Sequence, residues 1–377
     1  MIMKIIITYV SAGSGHRRAA EAIYNYFKEN CPGHEVKLVD ALKKDNPIFR
    51  GIYCGGYSFL VNHALWLWYF CFWSTSFRAL RPLTRTFNFF SNRINAKNFF
   101  NYLIRENPEF IISTHFLPSE TAIYLKAAKK INSKLVTVIT DFGIHPFWVL
   151  NGTDMYIVAS EFSKKELISK GARREIIKDL GIPIDTKFSN QYDKNALCAK
   201  LGITPDKFTL LISTGSAGIG QIEEIVGLLY KEVQIIVVCA NNKILYTTLK
   251  NKSYPGVAVF GFIENMQELM AVSDMIITKP GGMTISESLA MGLFPIFITA
   301  IPGQETENAK VLTQNSIGLN LKDALLVKEA VLDFRDHPDK LKNAKIKIDE
   351  LKRPFAVKEL CNVICKGSPG PASSRPI

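Results

Sequence analysis

Between Asp45 and Glu106 the sequence has no acidic residue at all, although Arg50, Arg78, Arg81, Arg85, Arg93, Lys97 and Arg105 fall inside or at the edge of that stretch. Long apolar runs are missing too. The longest without glycine, proline or polar interruption, Ala64 to Trp73, is about half of the roughly 20 residues that a membrane-spanning helix needs, so no span is expected. The amino terminus lacks the basic region, long apolar core and small-residue cleavage site of a signal peptide; Met1 leads directly into a strand pattern, so the protein is expected to stay in the cytosol. Its seven cysteines are odd in number and scattered, with only Cys361 and Cys365 within five residues of each other, which fits reduced thiols better than a disulfide framework. His34, His63 and His337 have no partners at metal-ligand spacing, and no metal site or other cofactor is expected. With 47% hydrophobic and 21% charged residues over 377 positions, wholesale disorder is excluded and two ordinary domains fit.

What is present is a formal charge of +12, which implies an acidic partner: nucleic acid, an anionic bilayer or a phosphorylated substrate. Short β-branched runs (5–10, 35–39, 110–113, 135–140, 155–159) alternate with amphipathic segments such as Arg17 to Asn30, the rhythm of a parallel sheet covered by helices. After Gly181-Ile182-Pro183 and a polar stretch, a second series follows at 208–213, 233–238, 257–260, 275–278 and 294–298. The predicted class is α/β, with two Rossmann-like, doubly wound domains facing a cleft. They span 1–183 and 184–350, and 351–377 is a carboxy-terminal helix followed by a Pro/Ser/Gly-rich disordered tail.

Two turns carry chemistry. The first strand ends in Ser11-Ala12-Gly13-Ser14-Gly15-His16 ahead of a helix, so free N–H groups and the positive end of the helix dipole face whatever sits there. No Gly-Lys-Ser/Thr follows, which excludes a Walker loop, and the third glycine of the dinucleotide fingerprint is absent. Gly13 and Gly15 fit a tight turn as well as a site. His16 lies at the carboxyl edge of a parallel sheet, where open α/β proteins place ligands, and an imidazole can take a proton from an alcohol near neutral pH; the plainer reading is a helix-start histidine bonded to a backbone carbonyl. In the second series, ITKPGGMTISESLAMGLFPIF (277–297) is followed by Pro302-Gly303-Gln304-Glu305-Thr306-Glu307-Asn308. Gly281-Gly282, Thr284 and Glu287 suit a diphosphate cradle with a carboxylate for ribose hydroxyls, although Glu287 also reads as an exposed helix residue helped by the dipole. Ser213 to Gly218 is another strand-to-helix glycine turn.

SAGSGHRRAAEAI, STHFLPSETA (113–122), TDFGIHPFW (140–148) and the GGMTISESLAMGLFPIF…PGQETENA block stand in one order. Together they resemble the monogalactosyldiacylglycerol synthase family and its processive diacylglycerol glucosyltransferase relatives, glycosyltransferase family 28. The resemblance covers residues 3 to about 320. It implies the GT-B fold and an inverting, metal-independent transfer of a hexose from a UDP-sugar to diacylglycerol. It also implies His16 as general base, Phe262 and Ile263 bracketing uracil and Ser216 reaching phosphate. Gly282, Met283 and Thr284 would cradle the diphosphate, Glu287 would bind ribose, and Gln304, Glu305 and Asn308 would read the donor sugar. His115, Asp141, His145 and Trp148 follow strand ends and are candidates to touch the acceptor or orient His16, against an equal case for structural loops.

The acid-free stretch is expected to form a monotopic membrane element over residues 57–97, in which Trp66, Trp68 and Trp73 enter the acyl boundary while Arg78, Arg81 and Arg85 meet anionic head groups. The competing reading places those aromatics in the core of the first domain. The protein would then be peripheral on the inner face of the cell membrane, with a UDP-sugar, diacylglycerol and anionic lipids as partners. No nucleic-acid motif is found, and the one acid-free basic stretch is filled with aromatic and aliphatic residues rather than arranged as a polar groove. Three alternatives stay open: N-acetylglucosamine transfer to a polyprenyl-linked or other carbohydrate acceptor, a nucleotide-sugar epimerase on the same scaffold, and a non-enzymatic membrane-binding module.

Overall fold

Strand β1, Lys4–Tyr9, is a run of β-branched residues in which Ile5, Ile6 and Ile7 all have 0% exposure. A strand buried on both faces needs no polar alternation, which is why its sequence is continuously apolar. In this computed structural model, residues 2–11, 13–44, 55, 56, 64, 66, 97–215, 218, 220–298 and 300–366 are described. They fall into two units, Met1–Thr186 with Phe355–Ile377, and Lys187–Pro354.

In the first unit, β1 is joined by β2 (Glu35–Asp40), β3 (Phe110–Ser113), β4 (Lys134–Val138), β5 (Met155–Ile157) and β6 (Ile177–Lys178), in the order β2-β1-β3-β4-β5-β6 with every pair parallel. Successive side chains feed different layers. Ile5 and Ile7 join Ala20, Ile23 and Phe27 of helix Ser14–Asn30, whereas Ile6 joins Leu42, Phe99, Leu103 and Leu117 on the other face. The last helix, Ala356–Lys366, returns to the first unit and inserts Val357, Leu360, Cys361 and Ile364 into the layer containing Phe27.

The second unit repeats the plan with β7 (Thr209–Ser213), β8 (Gln234–Val238), β9 (Val257–Phe260), β10 (Met275–Thr278), β11 (Phe294–Phe297) and β12 (Leu319–Asn320), again all parallel, in the order β12-β11-β10-β7-β8-β9. The ten strand segments anticipated from the sequence are all present to within two residues at either end. The edge strands β6 and β12 were not anticipated, because two residues each are too short to show a period.

The strand order fixes where a ligand belongs. In the first unit the chain runs outward from β1 to β2 and then crosses to β3 on the opposite side of β1; in the second it runs from β7 out to β9 and returns to β10 on the other side of β7. Each reversal opens a crevice at the carboxyl ends of the two flanking strands, the switch point at which open α/β sheets bind ligands.

Among the described residues no helix is long and apolar enough to cross a membrane. The described cysteines, Cys31, Cys198, Cys239, Cys361 and Cys365, are free thiols, with the sulfurs of Cys31 and Cys365 3.8 Å apart. Trp68, Trp73, Arg78, Arg81, Arg85 and Ser216, together with nearly all of the segment expected to meet membrane, lie outside the described residues. Trp66 is described and is 75% exposed.

Candidate functional site

At the first switch point, the turn after β1 meets the turns after β3 and β4. Gly13 caps helix Ser14–Asn30 at φ +92°, a conformation that a residue with a β-carbon rarely adopts, and Gly15 and His16 follow in the first turn. The Nδ1 of His16 lies 2.7 Å from the carbonyl oxygen of Thr114 and 2.9 Å from the Thr140 hydroxyl. A carbonyl only accepts, so Nδ1 carries the proton and Nε2 keeps its lone pair. Thr114 reciprocates by donating its hydroxyl to the His16 carbonyl at 2.9 Å. The backbone-carbonyl bond of the plainer reading is therefore present, and it fixes the orientation and tautomer of the ring.

Burial holds the His16 pKa down at about 4, a shift partly offset by the Thr114 carbonyl bond. The imidazole is neutral throughout the physiological range even though an edge of the residue reaches solvent. The ring of His115 stands edge-on to it at 4.7 Å between centroids, and Trp148 lies 6.3 Å away. His115 caps helix Phe116–Ala127: its Nδ1 accepts from the Leu117 N–H at 3.1 Å, which leaves the proton on Nε2. Burial, and secondarily repulsion from His16, pushes its pKa well below the usual histidine range. His145 caps its own short turn in the same manner through Phe147 N–H, at 3.2 Å.

Trp148 is 1% exposed and packs with Ile139, Ile144, Tyr156 and Leu167, so it backs the His16 ring from the core and presents no open face to an acceptor. Asp141 and His145 are buried at 8% exposure. At the ends of β1 and β2, Ser11 hydrogen-bonds Asp40, whose other oxygen accepts from Leu42 N–H at 3.1 Å. Thr114, Thr140 and Asp40 were not singled out in the sequence, although all three stand at or just past the carboxyl ends of strands, the position that should have drawn notice.

The second switch point lies between β7 and β10. Beyond β7 stand Thr214 and Gly215 (φ +79°), and beyond β10 stand Lys279, Pro280 and Gly281, the cap of helix Gly282–Ala290. Gly282 and Met283 are buried and Thr284 is half-buried at the start of this helix. Glu287 is 2% exposed, so it is not the exposed helix residue of the alternative reading. Phe262, just beyond β9, is an aromatic ring left 68% exposed beside half-buried Ile263.

The three residues expected to read a sugar divide in the structure. Gln304 is half-buried at the first position of helix Gln304–Gln314. Glu305 is held internally, with one oxygen 3.1 Å from the Lys279 ammonium and the other accepting from Ile301 N–H at 2.8 Å. Asn308 has 0% exposure and donates to the Pro280 carbonyl at 3.0 Å, which ties this helix to the glycine turn. Lys279 was also missed by the sequence reading, although it directly precedes the Pro-Gly-Gly signal. Among the described residues no group of three or more His, Cys, Asp or Glu side chains converges as metal ligands.

Similarity to known proteins extends along nearly the whole chain. Residues 16–184 match the family model described as monogalactosyldiacylglycerol (MGDG) synthase, and residues 209–360 match that of the glycosyltransferase family 28 C-terminal domain. A processive diacylglycerol beta-glucosyltransferase of Staphylococcus haemolyticus is 31% identical over 374 residues, which cover 95% of this chain and 91% of the relative. Among solved structures, MurG of Acinetobacter baumannii aligns with a TM-score of 0.58 at 12% identity, covering 97% of this chain and 99% of that one. A UDP-GlcNAc 2-epimerase of Neisseria meningitidis bound to UDP-GlcNAc aligns with a TM-score of 0.60, also at 12% identity, covering 97% and 100%. Structural likeness at such identities reports the fold alone, which is shared by transferases and epimerases.

Proposed function

Because the chain belongs to the monogalactosyldiacylglycerol synthase family of glycosyltransferases, with the GT-B fold, we propose that it transfers a hexose from a UDP-sugar to diacylglycerol with inversion at the anomeric carbon. The observation that carries this reading is the state of His16. Thr114 and Thr140 occupy Nδ1, so Nε2 is the atom left to accept a proton, and it is unprotonated at working pH. An epimerase that takes no acceptor has no need of such a base for an incoming alcohol.

In the reaction, the acceptor hydroxyl gives its proton to His16 Nε2 as its oxygen bonds to the anomeric carbon. The bond from that carbon to the β-phosphate oxygen breaks, and the electron pair leaves with UDP. Positioned proton transfer of this kind contributes about 10²–10⁴-fold in rate. Exposed Phe262 supplies a stacking face for uracil beside Ile263, buried Glu287 takes the ribose hydroxyls, and the backbone at Gly282, Met283 and Thr284 meets the diphosphate, together with Ser216. Asn308 fixes the glycine turn through Pro280, so its contribution to sugar recognition is positional. His115 and His145, each fixed through Nδ1 by a backbone N–H, shape the acceptor end around His16.

The protein acts as a peripheral protein on the cytoplasmic face of the membrane, entering the lipid through the acid-free segment to which exposed Trp66 belongs. The test pairs two variants. His16→Ala should lose transfer by the factor above while binding UDP as wild type does; near-normal turnover in the folded variant refutes the base. A folded Trp66→Ser, Trp68→Ser, Trp73→Ser variant should lose binding to phosphatidylglycerol vesicles and keep UDP binding. Retained vesicle binding refutes the entry segment.

A further inference from the structure

Lys279 occupies the second switch point. It directly follows β10, and its Cε lies 3.5 Å from the point where a β-carbon on Gly215 would stand, so the lysine chain extends over the turn that follows the neighbouring strand β7. Its ammonium reaches Glu305 in the first turn of helix Gln304–Gln314 at 3.1 Å. Three elements thus meet at one cation: the β7 turn, the β10 turn and the start of a helix. The pair is largely shielded, with side-chain exposures of 21% for Lys279 and 17% for Glu305. Next in sequence to these two turns, the hydroxyls of Thr214, directly before Gly215, and Thr278, the last residue of β10 and directly before Lys279, are buried with no hydrogen-bond partner among the described residues. Buried hydroxyls left unpaired cost stability, and they are tolerated where a ligand completes them.

We propose that Lys279 is a catalytic residue whose ammonium contacts the β-phosphate of the donor and stabilises the negative charge that UDP gains as it leaves. This rests on the donor reading given above. When the bond between the anomeric carbon and the β-phosphate oxygen breaks, both electrons stay on that oxygen and the diphosphate gains one negative charge. Lys279 keeps its proton and meets that charge as a fixed cation in a partly desolvated site, where preorganised charge is most effective. Before the donor enters, Glu305 serves as counter-ion and holds the ammonium over Gly215. The anchor of Glu305 to Ile301 N–H keeps that carboxylate in place when the lysine turns to phosphate. A cation aimed at the β-phosphate matters to UDP and not to UMP.

The experiment measures affinity for UDP and UMP by calorimetry on the full chain for wild type, Lys279→Met and Lys279→Arg, with transfer rate at saturating donor. Lys279→Met should weaken UDP at least tenfold, change UMP less than about twofold and lower the saturated rate about 100-fold; Lys279→Arg should recover most of the UDP preference. A second measurement uses wild type alone: UDP, and not UMP, should shield Lys279 from an amine-acylating reagent at least fivefold, read by peptide mass spectrometry. Equal labelling with and without UDP overturns the proposal even if Lys279→Met fails to fold. A folded Lys279→Met protein that keeps the wild-type ratio of UDP to UMP affinity overturns it too, leaving the functional reading intact. Wild-type protein that binds neither nucleotide overturns both.

Discussion

The depressed pKa of His16 makes a quantitative claim about the acid limb of the reaction. An imidazole at the ordinary pKa of about 6.5 is roughly nine-tenths deprotonated at pH 7.5 and one-tenth at pH 5.5, so a reaction that needs it as a base slows about tenfold over that interval. Burial places His16 at about 4. At that value it is still about 97% deprotonated at pH 5.5, and the rate should be nearly flat. The pH dependence of kcat/KM reports the free enzyme, so the assay is initial-rate transfer from limiting UDP-sugar to diacylglycerol in neutral mixed micelles from about pH 5.5 to 8. The same shift affects folding. Because the unfolded chain binds the proton first, stability falls as pH drops from 6.5 toward 4, and circular dichroism must accompany each point. The neighbouring His115 is also held neutral, by burial and then by His16, so it adds no charge in this window. A fall of more than about fivefold between pH 7.5 and 5.5 in folded protein would refute the enclosed, carbonyl-bonded base.

Two further outcomes follow from one buried and one half-buried carboxylate. Glu287→Ala should weaken UDP binding by roughly 1.5–3 kcal/mol through the loss of charge-assisted hydrogen bonds, and unchanged calorimetric affinity would remove Glu287 from the donor site. Glu106 lies 2.7 Å from the Lys37 ammonium and 2.9 Å from that of Lys4, and its hydrogen bonds to Lys37 and then Lys4 lower its carboxyl to about 2. The resulting stability is full above the ordinary carboxyl pKa of about 4.5 and is lost as pH falls toward 2; after discounting for solvent screening it amounts to about 1–2 kcal/mol. Glu106→Gln should therefore cost that amount in urea melts at pH 7 and less than about half of it at pH 3, where the folded carboxylate is still mostly ionised but the unfolded one is largely protonated, and an equal loss at both would contradict the ion-pair account.

The strands were legible because parallel strands buried on both faces leave uninterrupted β-branched runs, as at Ile5 to Ile7 and Leu210 to Ile212. The glycine turns were legible because positive φ at Gly13 and Gly215 restricts the residue type. What holds His16 was not. Thr114 and Thr140 lie 98 and 124 residues away in sequence, and they become its neighbours only through the crossover from β2 to β3 and the placing of β4 beside β3. Trp148 was a fair acceptor candidate by its place after a strand, yet its indole fills the layer beneath that edge. Glu305 and Asn308 could be placed near a donor but not seen to be bonded to Lys279 and Pro280, since those contacts depend on how one helix start meets another turn. The carboxy-terminal helix shows an apolar stripe in sequence; its partner, the face of Phe27 and Ile23, is more than 300 residues away.

The central claim, inverting transfer to a lipid alcohol by a histidine base, is tested most directly by proton NMR of the lipid product formed when purified protein meets diacylglycerol and each α-linked UDP-hexose in turn. The account predicts a diacylglycerol glycoside with the large anomeric coupling of a β-linkage, formed by wild type and not by His16→Ala. An α-linked product, or consumption of UDP-hexose by isomerisation with no glycolipid formed, would contradict it.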